Sequence, residues 1–276
     1  MSSTSWKNST SPANGTSTAR RASCISIRRP IPPVLPRRPS ASVAILPGVG
    51  LGLPSNPPPG GAGAGGNNTL RVAETARAVI EEAGADAVLS VTPYYNRPTQ
   101  EGLFLHYKAV AEAVDIPQIL YNVPGRTACD MTPETTARLS EVPNIVGLKD
   151  ATGDLARLPR LRALCGPDFA LYSGDDATGC EFMLRGGDGV ISVTNNVAPR
   201  LMAQMCAAAL GGDRCAAMGV NAMLDPLHHE LFVQSNPIPV KWAVFELGLA
   251  RRGIRLPLTW LTEELQPRVR QAMRHA

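Results

Sequence analysis

The chain has 276 residues, 44% of them hydrophobic, and a formal net charge of +4. That length and apolar content suit one large domain with a sizeable core, and no run of about 18 apolar residues marks a membrane-spanning helix. The excess of positive charge is confined to residues 1–66, which hold seven Lys or Arg and no acid; residues 67–276 carry 20 basic and 23 acidic groups, so no nucleic-acid footprint is read from the balance.

Residues 1–60 hold 11 of the 25 prolines and 11 serines, with no hydrophobic period. Such a segment cannot bury enough apolar surface to offset its ordering entropy, and it is expected to lack packed structure, with only Ser42–Leu46 able to add a short strand. Its composition suits an organelle transit peptide, a DNA-binding arm or an out-of-frame translation of GC-rich DNA. From Leu70 the pattern changes. Arg71–Ala83 has helical spacing, with Val72, Ala76, Val79 and Ile80 on one face and Gly84 as a stop. Strands are expected at Ala87–Thr92, Gln118–Val123, Ile145–Lys149, Phe169–Ser173 and Gly189–Thr194. They alternate with helices at Gly102–Val114, Pro133–Ser140, Leu155–Leu164, Thr178–Arg185 and Arg200–Leu210. Residues 214–276 read as extra helices punctuated by Pro237, Pro239, Pro257 and Pro267.

Five strand–helix units in strict alternation imply a parallel sheet with right-handed crossovers. An open doubly wound sheet and a closed barrel both satisfy that pattern. The polar residues Thr92, Tyr94, Tyr95, Asn122, Arg126, Lys149, Asp150, Ser173, Asp175 and Thr194 fall at or just past the C-terminal ends of strands. In a barrel those ends converge on one mouth, where catalytic groups collect. The six cysteines are scattered, with no CxxC pair and no metal-type Cys/His spacing, and read as buried or idle thiols.

Lys149 ends the apolar run Ile145-Val-Gly-Leu, which points it into the mouth. Burial disfavours the ammonium, and a neutral amine can attack a ketone to form an imine. The competing reading is a lysine paired with Asp150 or another carboxylate. Tyr121, at the end of Gln118-Ile-Leu-Tyr, can shuttle protons, and Arg126 in the loop after it can grip a carboxylate with two hydrogen bonds. A packed aromatic and a surface arginine are the plain alternatives.

The runs Thr92-Pro-Tyr-Tyr-Asn-Arg-Pro, Tyr121-Asn-Val-Pro-Gly-Arg-Thr, Gly147-Leu-Lys-Asp-Ala-Thr-Gly and Ser173-Gly-Asp-Asp together resemble the dihydrodipicolinate synthase family. Gly189-Val-Ile-Ser-Val-Thr and Asn236-Pro-Ile-Pro-Val-Lys-Trp continue the match, in order, from about Gly63 to near Pro257. The resemblance implies an α/β fold, a (β/α)8 TIM barrel lacking its first two β/α units. Residues 61–212 would form the partial barrel and 213–276 a C-terminal helical region, behind an aberrant segment at 1–60. It implies a lyase that condenses pyruvate with L-aspartate 4-semialdehyde to give 4-hydroxy-tetrahydrodipicolinate, on the diaminopimelate route to lysine. Lys149 would form the Schiff base, Tyr121 and Tyr95 would relay protons, and Tyr95 would reach across a tight dimer. Arg126 would bind the semialdehyde carboxylate. Ile191 and Gly174 would line the pyruvate pocket, and Tyr94 and Asn67 would contact feedback-inhibiting lysine. The implied enzyme needs no cofactor and no metal. It is a cytoplasmic homotetramer, a dimer of dimers, with no nucleic-acid or membrane partner. Gly125-Arg-Thr is similar to the synthases rather than to the sialic acid and other sugar-acid lyases of the same family, which remain the first alternative. A non-catalytic barrel remnant is the second.

One part of the family pattern is absent. Its second strand ends in a Thr-Thr-Gly loop that holds the pyruvate carboxylate and completes the proton relay, and no Thr-Thr-Gly occurs before Gly63. A transit peptide would precede a complete barrel, whereas residues 1–60 occupy the space of its first two units. A frame error or gene damage upstream of about Gly60 is therefore expected, ahead of a divergent N-terminus or a transit peptide.

Overall fold

The computed structural model describes residues 65–83 and 87–276. The expectations for residues 1–60, including a strand at Ser42–Leu46, a frame break and the lost barrel units, lie outside the described residues. So do the stop at Gly84 and the side chains of Val79 and Ile80.

The chain alternates as expected. Helix α1 (Thr69–Ala83) leads into β1 (Val88–Val91), then α2 (Gln100–Ala113), β2 (Gln118–Asn122), the single turn α3 (Pro124–Thr127), α4 (Pro133–Ser140) and β3 (Ile145–Asp150). Helix α5 (Arg157–Cys165), β4 (Ala170–Ser173), α6 (Asp176–Leu184), β5 (Gly189–Val190) and α7 (Pro199–Leu210) follow. The chain ends with α8 (Arg214–Glu230), α9 (Ile238–Glu246) and α10 (Gln266–His275). The five strands form one sheet in sequence order, every neighbouring pair parallel. This is the strand order of a β/α barrel wall, in which each crossover helix packs back against the outside of the sheet. No helix among the described residues is long and apolar enough to cross a membrane.

The helix starts are set by side-chain caps. Thr99 accepts from the Gly102 amide and starts α2 two residues earlier than the apolar spacing suggested; Asp175 does the same for α6 through the Thr178 amide. Two expectations fail locally. Arg126 lies in the one-turn helix α3 rather than in a loop, because Pro124 suits a first helical position and the Arg126 and Thr127 amides both donate to the Val123 carbonyl. Strand β5 stops at Val190 instead of reaching Thr194. The Val193 and Thr194 amides turn away from the ladder to donate to the Asp176 carboxylate, and Thr194 opens a 3-10 turn.

The register separates two rows of side chains. Leu120, Leu148 and Leu171 are direct partners on β2, β3 and β4, and all three are buried against α2, α4 and α5 in one cluster with Leu103, Tyr107, Leu139 and Leu158. One residue further along each strand, side chains point to the other face of the sheet. Val91, Tyr121, Lys149, Tyr172 and Gly189 form that inner row. A second core, built on Trp242, Met202, Met205, Leu224 and Leu227, joins α6–α10 to the end of β5.

Candidate active site

The inner row places Lys149 beside Tyr121 at the C-terminal ends of adjacent strands. Lys149 is only 6% exposed, and its Nζ stands 4.1 Å from the centre of the Tyr121 ring. Burial is the main force on the amine and lowers its pKa from 10.5 to about 8. The Asp176 carboxylate opposes that shift and Arg126 adds to it. Burial pushes the Tyr121 phenol above its usual value, with Arg126 pulling the other way, so the phenol is neutral and able to donate a proton. The charge of Arg126 thus reaches both Lys149 and Tyr121.

The competing pairing of Lys149 with Asp150 does not form. Asp150 projects to the opposite face and accepts from Arg157 Nε at 3.0 Å and from the Thr152 amide at 2.9 Å. Arg157 also donates to Asp130 and to the Met131 carbonyl, and Asn122 donates to Asp130 at 2.7 Å. This charged network straps the loop after α3 to the start of α5. Asn122 and Asp150, counted among the mouth groups, are therefore structural. Thr92 is likewise committed, donating to the Thr127 hydroxyl, and Ser173 and Asp175 are spent on the turn into α6. Among the described residues no carboxylate comes within ion-pair distance of Lys149.

Gly174 borders the lysine directly. A Cβ there would lie 2.8 Å from Lys149 Cε and 2.7 Å from Ala151 Cβ. Gly174→Ala should therefore displace the amine at a cost of about 1–3 kcal/mol, slowing imine formation with a keto acid about 10- to 100-fold. Borohydride trapping rates measure this, and an unchanged rate would remove Gly174 from the site. Ile191, buried, follows on β5 with its amide on the Ser173 carbonyl.

Arg126 is exposed, with Nη1 on the Asn236 carbonyl at 3.3 Å. Tyr95 is 89% exposed and holds a left-handed φ of 68°. Tyr94 and Asn67 converge through Asn96, whose amide nitrogens donate to the Tyr94 carbonyl at 2.8 Å and the Asn67 carbonyl at 3.0 Å. Sequence reasoning gave no role to two buried groups, Asp176 and His228 on α8, whose Nδ1 lies 2.9 Å from Thr194 Oγ1. Asp176 stood in the Ser173-Gly-Asp-Asp run without a role, and His228 carried no signal beyond being one of four histidines.

The chain is similar to known proteins over most of its length. Residues 61–276 match the model of the dihydrodipicolinate synthetase family. The 4-hydroxy-tetrahydrodipicolinate synthase of Methylococcus capsulatus is 65% identical over 218 residues, covering 78% of this chain and 74% of that protein. The enzyme of the same name from Alcanivorax borkumensis is 61% identical over 213 residues, covering 77% and 72%. The chloride-inhibited dihydrodipicolinate synthase of Acinetobacter baumannii, solved with pyruvate, superposes with a TM-score of 0.75 at 53% identity, covering 77% of this chain and 73% of that one. The Aquifex aeolicus enzyme gives 0.74 at 42% identity, over 77% and 72%. With this match spanning the sheet, the lysine and its neighbours, the chain belongs to the dihydrodipicolinate synthetase family.

Proposed function

We propose that this chain condenses pyruvate with L-aspartate 4-semialdehyde through a Schiff base on Lys149, giving 4-hydroxy-tetrahydrodipicolinate. The observation that carries the proposal is a lysine amine buried at a strand end and facing Tyr121, with no ion-pair carboxylate among the described residues. With its pKa near 8, a useful fraction of that amine is neutral at physiological pH.

The neutral amine adds to the pyruvate ketone, and the carbonyl oxygen leaves as water to give an iminium. Loss of a C3 proton forms the enamine, which attacks the semialdehyde carbon. The amino group of the second substrate then displaces Lys149 as the ring closes. Tyr121 supplies a neutral phenol for these proton transfers, and Tyr95 extends the relay from a neighbouring subunit. Gly174 leaves room for the adduct against Lys149, and Ile191 forms the pocket's apolar side. Arg126 holds the semialdehyde carboxylate. Tyr94 and Asn67, drawn together by Asn96, form the site for inhibitory lysine. Exposure of so large a ring at Tyr95 supports an oligomer, a cytoplasmic tetramer built from two tight dimers.

Borohydride reduction with pyruvate tests the central claim. The chain has only four lysines, Lys7, Lys108, Lys149 and Lys241, so peptide mass mapping assigns the adduct without ambiguity. The adduct is expected on Lys149; label on Lys108 or Lys241 instead would overturn the assignment. Product formation with aspartate semialdehyde, compared with sugar-acid aldehydes, decides the second substrate.

A further inference from the structure

Within the inner row, Tyr172 takes no part in the steps above. It is the direct ladder partner of Lys149 on β3 and of Gly189 on β5, so the three share one face of the sheet at one level. Its ring turns toward β5. A Cβ built on Gly189 would lie 3.2 Å from Tyr172 Cδ1 and 3.4 Å from Cε1, so the ring takes the space that a side chain on β5 would fill. The residue is half-buried, and its hydroxyl makes no hydrogen bond to the described residues. Burial raises the phenol above its usual value, with Asp188 pushing the same way, so it stays neutral.

The next level toward the mouth fixes what that ring borders. Gly174 and Ile191 each lie two residues further along the same strands, about 7 Å nearer the mouth and on the same face. Val190, between Gly189 and Ile191, packs outward, its Cγ2 3.2 Å from where a Gly179 Cβ would stand. Ile191 is buried and continues the ladder through its amide on the Ser173 carbonyl at 2.9 Å. A Cβ at Gly174 would meet Lys149 Cγ at 3.1 Å and Cε at 2.8 Å, so the lysine stem climbs past Gly174 and carries Nζ to the Tyr121 ring.

We propose that Tyr172 is a specificity-determining residue: its ring, seated over Gly189 and below Ile191, is the floor of the pocket beside the Lys149 amine and limits the side chain of the 2-oxo acid to a methyl group. This rests on the Schiff-base reading above and deepens it by naming the residue that restricts the first substrate. An oxo acid joined to Nζ has two ends. Its carboxylate is kept off an apolar ring face by the cost of desolvation. Its alkyl end bears no such cost and packs against Tyr172 and Ile191. A longer alkyl end would have to push the ring aside, and the ring cannot retreat, because the Gly189 backbone lies directly behind it. Close-packed interiors do not yield by the width of a carbon without strain.

The test is borohydride trapping in the full chain with pyruvate and with 2-oxobutanoate, which is longer by one methylene. Tyr172→Leu removes the outer half of the ring and keeps an apolar side chain in the strand. The ratio of 2-oxobutanoate to pyruvate trapping rates should rise about 10- to 200-fold, the usual worth of one methylene in an apolar pocket. Tyr172→Phe keeps the ring and should hold the wild-type ratio. A purely structural role would slow both acids alike, so an unchanged ratio in Tyr172→Leu overturns the inference. An equal rise in Tyr172→Phe also overturns it, since selectivity would then belong to the hydroxyl and not to the ring. If Tyr172→Leu does not fold, Tyr172→Met decides by the same ratio. Failure of pyruvate to label Lys149 in the wild type would instead sink the Schiff-base reading, and this inference with it.

Discussion

Lys149→Met should abolish condensation, by a factor on the order of 10⁴ or more, while making the protein more stable at pH 7. The loss follows from removing the atom that becomes covalently linked to pyruvate, since no neighbouring group can replace it. The gain follows from burial. The lysine's pKa is about 8 in the folded state against 10.5 for an unperturbed side chain. At pH 7 it is mostly protonated in both states, and the folded protein bears most of the cost of a buried ammonium, at most about 3 kcal/mol by the conversion of pKa units to free energy. Between pH 8 and 10.5 the folded state loses its proton while the unfolded chain keeps it, so wild-type stability should rise with pH across that window. Methionine has similar length, fills the same space beside Tyr121 and carries no charge. Urea unfolding at pH 7 and pH 10 should therefore show a gap between variant and wild type that narrows with pH. Equal stability at both pH values would mean that the amine is not buried as described, and residual turnover near the wild-type rate would end its role as nucleophile.

The sequence carried the order of the sheet because each parallel strand is a short apolar run bounded by turn residues, and the run before Lys149 put that lysine at a mouth. It did not carry the facing of the polar residues. In a strand buried on both sides, the apolar residues do not alternate with polar ones, so nothing separates Lys149 from Asp150 except the position of each within the ladder. Only the register, with Leu120, Leu148 and Leu171 in one row and Tyr121, Lys149 and Tyr172 in the next, sends Asp150 outward to Arg157 and Lys149 inward. The one-turn helix at Pro124–Thr127 was hidden by a Pro-Gly pair that reads equally well as a turn. The Asp176–Thr194–His228 unit was hidden for another reason. Its members lie 18 and 34 residues apart, and two of its links run through backbone amides that no residue pattern records.

Arg126→Ala should lower kcat/KM for the semialdehyde by about 30- to 1000-fold, the equivalent of about 2–4 kcal/mol for a lost bidentate carboxylate contact. Imine formation with pyruvate should survive. Arg126 sits on α3, exposed, with one guanidinium nitrogen on the Asn236 carbonyl and no ion pair among the described residues, which leaves its fork to grip a carboxylate. Its charge nonetheless reaches the reaction centre, where it lowers the pKa of both Lys149 and Tyr121. Removing it should therefore raise the pH midpoint of pyruvate trapping. Arg126→Lys separates the two effects. A lysine keeps the positive charge, so the trapping midpoint should return toward wild type. It lacks the planar fork, so most of the loss in semialdehyde kcat/KM should remain. Steady-state rates with each substrate varied, together with the trapping profile, resolve these outcomes. If pyruvate trapping collapsed in step with semialdehyde turnover in both variants, Arg126 would be serving the first substrate or the fold of α3, and the role assigned to it would be wrong.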